Sequence, residues 1–136
     1  MLLTPVSYQS GNSYSQTGFD ITSTKPSSSN LLGNPTYPSW TTSGGPNWIG
    51  YLIENYNMTL TCAYGFTYEG AAVNASLVAP CESTVLSLID QVKQLSNNIA
   101  GKPSYVPWTA TDSLFGAWIG VCLYQLNDTS ESYPGA

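Results

Sequence analysis

The chain has 136 residues, enough for one small domain with a modest core and too few for two. Only 8% of the residues are charged, and Asp and Glu outnumber Lys and Arg by 8 to 3. A net charge of −5 repels nucleic acid and anionic membrane surfaces. There is no histidine at all, which removes the usual general base of Ser and Cys hydrolases and the commonest metal ligand. No cofactor is implied.

The composition, rich in Ser and Thr with 12 Gly, 9 Pro and 10 Tyr, suits a secreted environment. Met1, Leu2 and Leu3 run into Pro5 with no basic region before them, so these residues carry no secretory signal. Three glycosylation sequons nonetheless start at Asn57, Asn74 and Asn127, and they have meaning only in the secretory pathway. The longest apolar stretch, Leu114 to Tyr124, is broken by Gly116 and Gly120 and falls well short of the ~20 residues of a membrane span. Cys62, Cys81 and Cys122 are odd in number and lack CxxC spacing; one disulfide with a free thiol and three buried thiols are both open readings.

Val6 to Tyr8 reads as a first strand, followed by the turn residues Ser10-Gly11-Asn12-Ser13. From Gln16 to Gly45 the chain shows no sustained period and is dense in Ser, Thr, Pro, Gly and Asn, the signature of a long loop; such loops tend to be functional. Gly45-Pro46 signals a helix start, with Trp48, Ile49, Leu52 and Tyr56 at helical spacing. The alternation of Met58, Leu60, Cys62 and Tyr64 with Thr59, Thr61 and Ala63 predicts a second strand, taken as Met58 to Ala63. Val85, Leu88, Ile89, Val92 and Leu95 predict a helix from about Ser83 to Ala100, ended by Gly101 and Pro103. The near-continuous apolar run from Leu114 to Val121 predicts a third strand, buried on both faces as in a parallel sheet. Strands alternating with helices imply an α/β fold with right-handed crossovers.

In an open parallel sheet, ligands gather beyond the carboxyl ends of the strands. Three segments fall there: Gly11 to Asp20, Tyr68 to Asn74, and Trp118 to Cys122. In that order they resemble the first three blocks of the SGNH, or GDSL-type, serine esterases. The likeness is greatest to the fungal acetyl esterases of carbohydrate esterase family 16, whose opening block resembles Gly-Asp-Ser-Tyr-Thr-Gln-Thr-Gly-Phe-Asp. Ser13-Tyr14-Ser15-Gln16-Thr17-Gly18-Phe19-Asp20 follows it with one Ser-for-Thr exchange. Gly44-Gly45-Pro46-Asn47-Trp48 and Ala75-Ser76-Leu77-Val78-Ala79-Pro80 also fit, and the resemblance runs from about Tyr8 to the end of the chain.

The resemblance implies a three-layer α/β/α sandwich of flavodoxin-like type, incomplete at the C-terminus, with 1–136 forming a single truncated domain. It implies an extracellular esterase acting on acetylated carbohydrate or a small ester. Ser13 matches the nucleophile, and Gly70 matches the glycine whose N–H helps hold the oxyanion. Cys122 stands where the family has an Asn donor, and a thiol donates poorly. Asn12 replaces the family Asp. The family's Asp-x-x-His block has no counterpart: three residues after Asp20, Asp90, Asp112 and Asp128 stand Ser23, Lys93, Phe115 and Glu131. The implied form is therefore an inactive one, and the alternative is a pseudo-enzyme or carbohydrate-binding module.

Plainer readings apply to the same residues. Ser13 and Gly70 have the residue types of ordinary turns. Cys122 reads as a small buried hydrophobe. Trp40, Trp48 and Trp108 suit sugar stacking but aromatics more often anchor cores. Lys25 is a weak substitute base because it sits in a polar loop. A glycosidase using Glu54 and Glu69 would need no histidine, but nothing in the spacing brings those two together.

Overall fold

A computed structural model describes residues 5–80 and 82–120. Three strands, β1 (Val6–Gly11), β2 (Cys62–Thr67) and β3 (Ser113–Trp118), form one sheet in the order β2-β1-β3. Both neighbours run parallel to β1, with Val6 opposite Cys62 and Ser113 and Gly11 opposite Thr67 and Trp118. The fold is α/β, as the alternation of elements predicts. Every residue of β1 is buried, because a central strand is covered on both edges and both faces.

The second strand begins four residues later than Met58. The Asn57 side chain closes a turn over the preceding segment, donating to the Thr61 carbonyl at 2.7 Å and accepting from the Thr61 N–H at 2.8 Å. Leu60 takes a positive φ of 59° there, and Met58 is 97% exposed. The first half of the alternation, Met58 and Leu60, is thus spent on an exposed turn, while Cys62 and Tyr64 lie in the strand and are buried, Tyr64 in the core with Phe66.

The third strand starts one residue before Leu114 and is not buried on both faces. Leu114, Phe115 and Trp118 are all more than half exposed, since β3 pairs only with β1 among the described residues. Val121, the expected end of the strand, lies outside the described residues.

Helix α1 (Trp48–Gly50) continues as a π-helical turn, Tyr51–Asn55, in which Tyr56 N–H reaches back to the Tyr51 carbonyl at 3.1 Å. Its start is set by Asn47, whose side-chain oxygen accepts from the N–H groups of Ile49 and Gly50. Of the expected stripe only Ile49 is buried; Ile53, one turn on, joins it against Leu32 and Ala63.

Helix α2 (Leu88–Leu95) continues as a π-helical segment, Ser96–Ala100, and Gly101 caps it as expected. It starts at Leu88 and not at Ser83 because Ser87 is the N-cap: its hydroxyl accepts from Asp90 N–H and donates to the Asp90 carboxylate at 2.6 Å. Ile99 and Leu95 pack with Tyr8, Tyr64 and Phe66. Ala63 and Tyr64 point to opposite faces of β2, so α1 and the end of α2 cover opposite faces of the sheet. No helix among the described residues is long and apolar enough to cross a membrane.

Candidate active site at the carboxyl ends of the strands

Because β1 lies between β2 and β3, the connections leaving its two neighbours diverge beyond its carboxyl end, and a crevice opens there. The chain entering that crevice is held from three sides. Gln91 of α2, fully buried, accepts from Gly11 N–H at 2.8 Å and donates to the Gly11 carbonyl at 2.9 Å. Tyr68 N–H, just past β2, donates to the same carbonyl at 3.1 Å. Asn12 N–H donates to the carbonyl of Trp118, the last residue of β3, at 3.2 Å. A Cβ on residue 11 would run into that Trp118 carbonyl, so glycine is what lets the strands close here.

Ser13 opens a 3-10 turn, Ser13–Ser15, directly after this clamp. Asn12 caps the turn, its side-chain oxygen accepting from Tyr14 N–H at 3.1 Å. The Asn12 side-chain NH₂ is buried and has no partner among the described residues. Ser15 is fully buried: its hydroxyl accepts from the Trp48 indole at 3.1 Å and its carbonyl from the Thr67 hydroxyl at 2.9 Å. The hydroxyl and N–H of half-buried Ser13 are not taken up by any hydrogen bond among the described residues; its carbonyl accepts from the Thr42 hydroxyl at 2.9 Å. The neighbouring serine is therefore structural, and Ser13 is the one whose side chain is available for chemistry.

Gly70 sits in the turn that follows β2, closed by Ala71 N–H on the Tyr68 carbonyl at 3.2 Å. Its φ of 73° belongs to the left-handed region, where glycine is unstrained. The Gln16 side-chain oxygen accepts from Glu69 N–H and so ties this turn to the Ser13 loop. The structure thus brings the Ser13 and Gly70 segments to the same edge of the sheet. Cys122 lies outside the described residues, as do Cys81 and Asn127.

Other candidates are placed apart. Glu69 lies at this carboxyl edge, whereas Glu54 belongs to the π-helical turn after α1, where Leu52, Ile53 and Tyr56 line a cavity at the amino ends of the strands. That separation removes them as a carboxylate pair. Lys25 donates to the Ser23 carbonyl at 3.1 Å and lies 5.4 Å from the Tyr105 ring centre, engaged away from Ser13. Trp48 is held by Ser15, and Trp108 packs on the core with its indole donating to the Ile99 carbonyl at 2.8 Å. Trp40 alone of these three stands clear at 72% exposure.

Burial and local hydrogen bonds shift several titratable groups around the sheet. Burial pushes the Cys62 thiol up to about 11, and the same effect raises Tyr8 and Tyr64 well above the ordinary phenol value. Asp90 is lowered chiefly by the Ser87 hydroxyl, and Asp20 and Asp112 by backbone N–H groups of Thr22 and Thr109. No group of three or more Cys, Asp or Glu that would hold a metal occurs among the described residues.

Two positioning residues escape a sequence reading. Gln91 falls on the buried stripe of α2, one turn from Leu88 and from Leu95, while Ile89 and Val92 of the expected stripe are exposed. A polar residue inside an apolar helical stripe is the signal that would have found it. Asn47 caps α1 and also donates to the Gln16 carbonyl at 2.8 Å, fastening the long loop to the helix.

The chain is 60% identical over 111 residues to a curated protein of Thermothelomyces thermophilus named acetylesterase, a match covering 82% of this chain and 37% of that protein. The chain therefore spans little more than a third of the length of that relative. No protein-family profile and no solved structure matches the chain.

Proposed function

We propose that this chain carries the nucleophile segment of an SGNH-type carbohydrate acetyl esterase, with Ser13 as the attacking serine. The observation that carries the reading is the unengaged Ser13 hydroxyl at the carboxyl end of the central strand, on a turn clamped by Gln91, Tyr68 and Trp118. The similarity to an acetylesterase supports the same chemistry. The β2-β1-β3 order with helices on both faces supports reading the sheet as the core of a flavodoxin-like three-layer fold.

In this reading Ser13 Oγ attacks the acetyl carbonyl, the alcohol leaves, and water hydrolyses the acetyl-serine. The family resemblance assigns the N–H groups of Ser13 and Gly70 to the developing oxyanion and puts Cys122 in the place of a third donor. The proton of Ser13 must pass to a base, and these 136 residues contain no histidine. Loss of a histidine base costs on the order of 10⁶-fold in turnover, so these residues by themselves hydrolyse acetyl esters at close to the background rate. The sequon at Asn74 and the Ser- and Thr-rich composition favour an extracellular location.

The test compares the chain with Ser13→Ala on an activated acetyl ester, with and without added imidazole as an external base. The expected result is near-background hydrolysis alone and an imidazole-dependent increment that Ser13→Ala abolishes. A serine-directed phosphonate should label Ser13 under the same conditions. Turnover that survives Ser13→Ala removes Ser13 from the chemistry. Strong Ser13-dependent turnover without imidazole overturns the inactive form and calls for another base, with Lys25→Ala the next variant. Absence of both turnover and labelling refutes the nucleophile and leaves the binding-module reading.

A further inference from the structure

We propose that the cavity of about 450 Å³ beside the Ser13 turn is a leaving-group subsite in which the Trp40 ring stacks on the apolar face of a sugar ring. The identity of Trp40 as a platform rests on how it is held. Its backbone N–H donates to the Thr17 carbonyl at 3.0 Å. The base of its side chain lies across Gly18, where a Cβ would come within 2.9 Å of Trp40 Cβ and 3.2 Å of its Cε3. Gly18 has a φ of 71°, so the residue that makes room for Trp40 is also one whose backbone favours glycine. Yet the ring joins neither core cluster, and its indole N–H has no partner among the described residues. A large aromatic ring that is fixed in place but left in solvent contributes little to the core; it presents a flat apolar surface to whatever enters the cavity.

The other walls suit hydroxyl groups. Gln16 spends its side-chain oxygen on Glu69 N–H, which leaves its NH₂ to donate, and the exposed Glu69 carboxylate beside it is an acceptor. Neutral donor and anionic acceptor side by side match the paired hydroxyls of a sugar. The cavity is tied to the reactive turn by Thr42, whose hydroxyl donates to the Ser13 carbonyl. The orientation of the leaving alcohol rests on the reading of Ser13 as nucleophile, but the binding of the ring does not.

Binding is measured on Ser13→Ala, so that turnover plays no part, with the β-linked disaccharide cellobiose as probe and sorbitol as a control that has the hydroxyls without the ring face. Readouts are the Trp40 indole resonance, assigned with Trp40→Phe, and calorimetry. Cellobiose should shift the Trp40 resonance, and Trp40→Ala should weaken its affinity by tenfold or more, with Trp40→Phe in between; sorbitol should bind far more weakly. An unmoved Trp40 resonance, equal affinity in Trp40→Ala, or equal binding of sorbitol overturns the subsite. Urea titration of each variant checks that it is folded. Intact cellobiose binding with no Ser13-dependent chemistry fails the esterase reading alone. Intact Ser13 labelling with no binding fails the subsite alone.

Discussion

One of the three clamps on the turn that carries Ser13 is a buried side-chain amide. Gln91 makes two hydrogen bonds to Gly11 and a third to the Leu86 carbonyl at 3.0 Å. Replacing it with Leu keeps the volume near enough but strands a buried N–H, which costs about 1–3 kcal/mol. Gln91→Leu should therefore lower the urea midpoint and reduce phosphonate labelling of Ser13, whereas Gln94→Leu, on the same helix, should do neither. The sequons at Asn57 and Asn74 differ in a similar way at the level of one side chain. Asn57 has both ends of its amide bonded to the Thr61 backbone, whereas Asn74 accepts from Ser76 and leaves its NH₂ unengaged among the described residues. On secretion from a eukaryotic host, glycopeptide mapping should find Asn74 occupied more fully than Asn57. That the Ser13 and Gly70 segments lie at one edge of the sheet was legible because each directly follows a parallel strand. Gln91 was not, because its partner is eighty residues away and its helix reads as ordinary core packing.

Among the elements, the start of α2 is the most sharply defined. Ser87→Ala should cost about 1 kcal/mol by removing the cap. The cap also has a pH signature. The Ser87 hydroxyl, with Lys93 at 3.2 Å, holds the Asp90 carboxyl below its ordinary value, so its contribution is present above the unfolded-state pKa and is lost as pH falls through the lower folded one. Asp20 and Asp112 act in the same sense. Urea midpoints from pH 7 down to 3 should fall, and Asp90→Asn should flatten that fall in part. Strand types and their parallel order followed from alternation, while boundaries did not. Asn57 absorbs Met58 and Leu60 into a turn, and Ser87 delays α2, because side-chain caps outcompete the continuation of an apolar pattern. The exposed face of β3 has a different cause: whether an apolar run is covered depends on what packs on it, which the run itself does not encode.

At the scale of the molecule, the apolar surface is unevenly covered. Tyr8 stacks on Phe115 at 4.8 Å and Trp108 meets the same ring edge-on at 5.5 Å, yet Phe115 remains half exposed, with Leu114 and Trp118 beside it on the strand that is outermost among the described residues. An exposed apolar edge strand is a template for association. Light scattering of the 136-residue chain should show self-association that rises with concentration, and Leu114→Lys should reduce it with little change in the urea midpoint. A reversible, cooperative melt of a monomer at high concentration would show that this edge is harmless. The Cys62 thiol gives an independent gauge of global opening: buried and shifted to about 11, it should resist alkylation until the sheet unfolds, as read by peptide mapping.

The central position of the first strand also sets a timetable. β1 leaves the ribosome first, but neither of its partner strands exists until Cys62–Thr67 and Ser113–Trp118 have been made. The Gly11 clamp waits for Gln91, 80 residues later, which at about 5–20 residues per second is roughly 4–16 s of synthesis. Until Cys62–Thr67 has been made, Val6–Gly11, every residue of which ends up buried, has neither of its partner strands to pair with. A nascent chain arrested short of Cys62 should therefore leave this strand open to proteases and chaperones, and one arrested after β3 has emerged should not.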